Sequence, residues 1–264
     1  MLELKNVSKT FFPGTINEKR VLKGINLTLN DGDFVTVIGG NGAGKSTLMN
    51  VITGSYNVDG GNIVIDGEDV TSLPEYKRAK YFGRVFQDPM MGTAPTMQIA
   101  ENMALALRRG KKRTLKKGVT SEELAIYKKA LKTLDLGLEE RLSTKVGLLS
   151  GGQRQSLTLL MATLQQPKVL LLDEHTAALD PKTAAKVLEI TEKIVTENSL
   201  TTLMITHNMR DAIALGNRLI MMDEGRIVLD ICGEEKKNLT VSDLLKKFSI
   251  VSGKEEASDS LLLN

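Results

Sequence analysis

The run GGNGAGKST (39–47) joins two stretches of opposite character. Before it, FVTVI (34–38) is almost continuously apolar, the pattern of a strand buried on both faces. After it, Leu48, Met49, Val51 and Ile52 follow helical spacing, and Gly54 is a natural stop. A buried strand that turns through glycines into a helix points to an α/β fold with the turn at the strand's carboxyl end. The spacing fits G-x-x-x-x-G-K-[ST], a phosphate-binding loop. Glycines let consecutive N–H groups turn inward on an anion, and the helix start adds partial positive charge. Gly39, Gly40, Asn41, Gly42, Ala43, Gly44 and Thr47 are the candidate cradle. Lys45 is placed to reach the β- and γ-phosphates of a nucleotide, and the Ser46 hydroxyl to hold Mg²⁺.

A second element completes such a site. VLLLDE (169–174) is an apolar run ending in two acids, a buried strand that presents Asp173 at its carboxyl edge. Asp173 would reach Mg²⁺ directly or through a water, and Glu174 is placed to polarise an attacking water.

The remaining segments frame these two. Leu2 and Leu4, then Ile25, Leu27 and Leu29, alternate with polar residues as short half-buried strands do. PGTINEKR (13–20) reads as a hairpin loop, and Asp66-Gly67 is a two-residue hairpin signal. Ala100, Met103, Ala104 and Leu107 mark one helix face. Thr120 and Glu123 form a capping box ahead of Leu124, Tyr127, Leu131 and Leu134. From Lys168 strands and helices alternate, as in a parallel sheet with covering helices. Val241, Leu244, Leu245 and Phe248 predict a short amphipathic helix, and 251–264 reads as a loose tail.

With 264 residues, 41% of them hydrophobic, the chain buries a core without metal or disulfide staples. Cys232 is its one cysteine, which fits a reducing compartment. A net charge of +3 is too mild to argue for nucleic acid, and no nucleic-acid partner is expected. MLELKNVSKT has no signal-peptide shape, and no apolar run nears the ~18 residues that a membrane span needs. A membrane role would run through a partner.

LLSGGQRQSL (148–157) places two glycines at the start of a helix. Ser150 and Gln153 fit the S-x-x-Q capping box, and the tip they mark carries unpaired N–H groups and positive dipole character. Gly151 and Gly152 offer no side chain to obstruct a phosphate lying against it. The phosphate loop, LSGGQ (149–153), LLLDE (170–174), ALD (178–180) and His207 occur in the order and spacing of ABC transporter ATPase subunits, and the chain resembles that family over nearly its whole length.

The resemblance implies a P-loop NTPase core with an N-terminal antiparallel β-subdomain. It implies a single domain over 1–250, with a helical subdomain inserted at about 88–165. It implies that Ser150, Gly151, Gly152 and Gln153 contact the γ-phosphate of ATP bound to a second copy, so that two chains close head to tail on ATP and Mg²⁺. Gln87 in VFQDP matches the loop that touches Mg²⁺ or the lytic water, and His207 matches the histidine that bonds the γ-phosphate and orients Glu174. Asp180 matches the loop that communicates between the two sites. An aromatic follows an SK pair in relatives, which points to Phe11 on the adenine, with Phe12 the alternative. His175 stands where many relatives carry proline and receives no chemical role.

By the same resemblance the chain is a peripheral ATPase on the cytoplasmic face of a membrane, driving separate permease subunits in a system with a substrate-binding protein. A stand-alone ATPase suits an importer best, and DEHTAALDP (173–181) resembles a subgroup some of whose members are proposed to carry aromatic amino acids. The alternatives are an exporter's ATPase, a soluble non-transport ATPase of the same type, and a cassette that binds ATP without turnover. The basic run 108–117, with seven Lys or Arg in ten, reads as a solvated loop or a contact for anionic lipid.

Overall fold

The computed structural model describes residues 1–111 and 117–252. In chain order the elements are β1 (Leu2–Phe11), β2 (Lys19–Leu29), β3 (Phe34–Gly39), α1 (Lys45–Thr53), β4 (Gly60–Ile65), β5 (Glu68–Asp69) and α2 (Glu75–Arg78). Next come β6 (Phe82–Val85), α3 (Ile99–Leu107), α4 (Ser121–Lys132), α5 (Gly151–Thr163), β7 (Val169–Asp173) and α6 (Pro181–Glu197). β8 (Thr202–Ile205), α7 (Met209–Ala214), β9 (Arg218–Asp223), β10 (Arg226–Cys232), α8 (Gly233–Lys237) and α9 (Val241–Ser252) follow. The chain divides into two compact units, one of Met1–Arg78 with the segment from Ser199 onward, the other of Ala79–Asn198.

The first unit holds an antiparallel sheet in the order β2-β1-β4-β5. Leu2, Leu4 and Val7 face Leu29, Leu27 and Ile25 across the β1–β2 ladder, and all six are buried. The alternation is therefore real, but β1 and β2 are ten and eleven residues long rather than short. Asp66 (φ 49°) and Gly67 (φ 80°) make the β4–β5 turn, both left-handed as a type I′ hairpin requires. In the same unit β3 runs parallel to β8 on one side and β9 on the other, with β10 antiparallel to β9. All six residues of β3 are buried, which is why its sequence shows no alternation. On one face Ile38, Leu219, Met221 and Ile231 pack with Met209, Ala212, Leu244 and Phe248. α9 is thus fastened by the residues that predicted it, and it continues through Val251 and Ser252. The rest of the expected tail lies outside the described residues.

In the second unit β6 and β7 pair in parallel, with Phe82 opposite Val169 and Val85 opposite Leu172. α5 is buried continuously from Gln155 to Thr163, so it is a core helix rather than an amphipathic one. It lies so close to β6 that a Cβ at Gly83 would stand 2.4 Å from the Ala162 carbonyl oxygen. Thr120 and Glu123 cap α4 reciprocally. Tyr127, Leu131 and Leu134 are buried, whereas Leu124, expected on the same face, is exposed. α6 starts at Asp180, whose carboxylate accepts from Thr183 N, with Pro181 in its first turn. Its buried residues Val187, Ile190, Thr191, Ile194 and Val195 form one helical stripe.

The solvated-loop reading of the basic run needs correction at its start. Arg108 pairs with Glu123 at 2.7 Å, and Arg109 donates to the Ala162 carbonyl at 3.2 Å. Arg108 also donates to the Ala104 carbonyl and closes the end of α3, Arg109 ties that end to α5, and burial lowers the pKa of Arg109. Residues 112–116 lie outside the described residues.

Candidate functional site

Each unit carries part of the predicted machinery at the carboxyl edge of parallel strands. In the first unit β3 leaves the sheet at Gly39, whose φ of 152° and whose virtual Cβ, 2.2 Å from the Met222 carbonyl oxygen, admit only glycine. Gly42 (φ 82°) and Gly44 (φ 101°) bend the loop further, and Ala43 N donates to the Gly40 carbonyl at 3.1 Å. Gly44 is the N-cap of α1 and supplies no side-chain bond to the helix start. The first N–H groups of α1 are thereby left to an anion. Lys45 is buried and donates from Nζ to the carbonyls of Gly39 (2.6 Å) and Gly40 (3.2 Å), which folds its charge back over the loop. Ser46 is exposed and Thr47 half-buried.

β8, parallel to β3 with Ile205 opposite Val37, brings its own carboxyl end to the same edge. His207 is exposed two residues beyond it. Thr206 and Asn208 shape the turn: Asn208 N donates to Thr206 Oγ1, and the Asn208 side chain caps α7. Desolvation raises the pKa of Asp211 in that helix, with His207 pulling the other way.

In the second unit β6 and β7 deliver Gln87 and the pair Asp173–Glu174 to one edge, since Val85 lies opposite Leu172. Gln87 is exposed; Asp173 and Glu174 are half-buried. Glu174 adopts φ 45°, a left-handed conformation uncommon outside glycine, asparagine and aspartate. Strain of this kind concentrates at functional sites and costs on the order of 1–3 kcal/mol. At the tip of α5 the Ser150–Gln153 box is closed in both directions, each bond 3.3 Å long. Gly151 is exposed there and Gly152 buried. Arg154 fixes the preceding loop by donating to the carbonyls of Val146, Gly147 and Leu149. Gln155, fully buried, donates to the Phe86 carbonyl at 3.1 Å and so fastens α5 beside Gln87.

Residues 22–177 match the ABC transporter family model. The chain belongs to the ABC transporter family. Its place there is that of an ATP-binding subunit, and it is an ATPase. A tyrosine transport ATP-binding protein of Clostridioides difficile is 49% identical over 94% of this chain and 98% of its own length. The spermidine/putrescine import ATP-binding protein PotA of Pasteurella multocida is 33% identical over 95% of this chain, which spans 64% of that relative. Among solved structures, the ATP-binding cassette MJ0796, a dimer bound to ADP and Pi, is 30% identical with a TM-score of 0.73, covering 88% of this chain and 98% of its own. The cassette MJ1267 in its ADP conformation is 29% identical with a TM-score of 0.77, covering 96% and 99%. The α/β P-loop fold with an antiparallel N-terminal sheet is that of these ABC cassettes. No helix among the described residues is long and apolar enough to cross a membrane.

Phe11 and Phe12 separate clearly in this cassette. Phe11 is half-buried with its ring 5.3 Å from Tyr56, edge to face, whereas Phe12 is 65% exposed at φ 52°. Of two side chains beside the acids, Arg84 escaped the sequence reading and His175 was named there without a chemical role. Arg84 pairs with Asp173, Nη2 to Oδ2 at 3.2 Å, and its guanidinium lies 4.6 Å from the Phe86 ring centre. His175 is buried against α6, and desolvation lowers its pKa to about 4. Arginine inside the otherwise apolar strand FGRV was the available signal for the first.

Proposed function

We propose that this cassette binds ATP with Mg²⁺ between two copies of itself and uses the closure to drive membrane-embedded permease subunits. The observation that carries the reading is the start of α1: an uncapped helix tip behind left-handed glycines, with a buried lysine folded over it. Gly39, Gly40, Asn41, Gly42, Ala43, Gly44 and Thr47 hold the phosphates through backbone and hydroxyl groups, and Lys45 swings from the loop carbonyls onto the terminal phosphates. Phe11 stacks on the adenine. Ser150, Gly151, Gly152 and Gln153 of a second copy meet the γ-phosphate with the N–H groups and dipole of α5. MJ0796, solved as a dimer with ADP and Pi, supports this pairing.

Ser46, Asp173 and Gln87 offer a hydroxyl, a carboxylate and an amide oxygen, hard donors that suit Mg²⁺. Among the described residues no cluster of three or more His, Cys, Asp or Glu could hold a metal; Mg²⁺ at a nucleotide takes one or two protein ligands and completes its shell with phosphate oxygens and water. When bound, Mg²⁺ neutralises charge on the phosphate oxygens. The Glu174 carboxylate accepts a proton from water as that water's oxygen bonds to the γ-phosphorus, and the bond to the β-phosphate bridging oxygen breaks to leave ADP. His207 bonds the γ-phosphate and steadies the water with Gln87, while Lys45 balances the charge that develops. Only nucleotide that binds the closed pair more tightly than the open one can drive a conformational change.

Glu174→Gln tests the reading. Turnover should fall by about 10²–10⁴-fold, the range for losing a general base, while ATP binding persists and dimer accumulates in size-exclusion runs. Substantial residual phosphate release would remove Glu174 as the base.

The solute reading is import of an aromatic amino acid through a permease and a substrate-binding protein, with this chain on the cytoplasmic face. It is carried by the tyrosine transport relative, matched at 49% along nearly all of both chains against 33% for the polyamine importer. Reconstitution with the neighbouring permease and binding protein should give ATP-dependent uptake of labelled tyrosine, and uptake of spermidine instead would overturn it.

A further inference from the structure

The parallel register of β6 and β7 sets Arg84 opposite Leu171, so Arg84 and Asp173 share one face of the strand pair, two residues apart along it. At about 3.3 Å per residue that offset is within the span of an arginine side chain. The guanidinium reaches forward to Asp173 Oδ2 at 3.2 Å, lying against the ring of Phe86 on the way. The side chains are only 15% and 16% exposed, so salt screens their attraction weakly. Arg84 Nε is buried with no hydrogen-bond partner. A guanidinium left partly unsatisfied is poorly arranged as a structural fastening, and its charge is spent on the one carboxylate assigned to the metal.

One carboxylate cannot give its full strength to two cations. A divalent ion at Asp173 must loosen the bond to Arg84 and bear the repulsion of a nearby positive charge. We propose that Arg84 is a positioning residue that competes with Mg²⁺ for Asp173 and so lowers the Mg²⁺ affinity of the nucleotide site. The proposal rests on the reading of Asp173 as a Mg²⁺ ligand. Its consequence is a threshold: nucleotide gains less from Mg²⁺ in this cassette than it would with an apolar residue at position 84.

Calorimetric titration of the full chain with ADP, once in Mg²⁺ and once in EDTA, yields the ratio of the two dissociation constants, the gain from Mg²⁺. Arg84→Met should raise that gain by roughly tenfold, about 1.4 kcal/mol. Arg84→Lys keeps the charge but loses the planar contact with Phe86, so its gain should fall between those of the wild type and Arg84→Met. Asp173→Asn should lose the gain, and Arg84→Met added to it should change nothing further, because the effect passes through the carboxylate. An unchanged or reduced gain in Arg84→Met, with Asp173→Asn behaving as expected, overturns the competition. Retention of the full gain by Asp173→Asn instead removes the metal-ligand reading beneath it. Melting curves confirm folding, and if Arg84→Met fails to fold, Arg84→Gln takes its place in the same comparison.

Discussion

The Nε2 atom of His175 stands 3.0 Å from the hydroxyl of Thr191, one turn of α6 pinned to the residue that follows Glu174. The Thr191 hydroxyl has a single proton, and it is directed to the Val187 carbonyl at 2.8 Å. Thr191 therefore accepts from His175, which places a proton on Nε2; Nδ1 is buried without a partner, and a second proton there would be an unpaired buried charge, so the ring is neutral. Burial holds the pKa at about 4 against an ordinary 6.5. The unfolded chain consequently binds the extra proton first as pH falls, so the stability from this neutral histidine is complete above pH 6.5 and drains away down to pH 4. The loss across that window is about 3 kcal/mol. His175→Leu cannot titrate, and urea melts at pH 7 and pH 4.5 should differ less for it than for the wild type. Equal acid sensitivity in the two proteins would refute the assignment.

Much of the site is legible because its signals are local. Lys45 sits at a fixed distance from glycines, Ser150 and Gln153 are three residues apart, and Asp180 precedes a proline. Each motif dictates its own turn or cap, although at Gly39 the distant Met222 carbonyl adds a reason why only glycine fits. The strand run VLLLDE is legible for a related reason, since burial on both faces writes itself as unbroken hydrophobicity. What escapes is pairing across the fold. Arg84 meets Asp173 only through the β6–β7 register. Arg78 is wholly buried because it donates to the carbonyls of Val51 and Ile52 at the end of α1, twenty-seven and twenty-six residues upstream, and to those of Leu73 and Thr71. Arg108 leaves the solvated run for Glu123, fifteen residues on. A charged residue announces its type in sequence but not the partner that lets it be buried.

Gly151 and Gly152 at the tip of α5 are held by different constraints, and alanine should separate them. A Cβ on Gly152 would stand 2.2 Å from Thr183 Cγ2, a stiff β-branched side chain in the first turn of α6. On Gly151 the nearest atom is Leu179 Cδ2 at 3.2 Å, the free end of a flexible chain. Gly152→Ala should lower stability by about 1–3 kcal/mol through overpacking. Gly151→Ala should melt within a few degrees of the wild type, since alanine also favours the helix by roughly 0.5–1 kcal/mol. Its defect should appear instead in ATP-dependent dimerisation, read by light scattering in the Glu174→Gln background. Similar melting losses in both variants would show that the glycines share one packing role.

Phe11 and Phe12 make the last contrast. Phe11 is held on one edge by Tyr56 and has Lys9 Nζ 5.8 Å from its ring centre, so a flat, partly preorganised surface exists before any base arrives. Phe12 projects from the β1–β2 loop with nothing comparable to set its plane, its ring 6.5 Å from that of Phe11 and tilted by 47°. Base–aromatic stacking contributes about 1–3 kcal/mol per base. Phe11→Ala should therefore weaken ADP binding by roughly 5- to 100-fold in a calorimetric titration, and Phe11→Tyr should restore most of it. Phe12→Ala should bind as the wild type does. The opposite pattern would transfer the adenine to Phe12, and equal losses would mean that the aromatic pair acts through the packing of the β1–β2 hairpin.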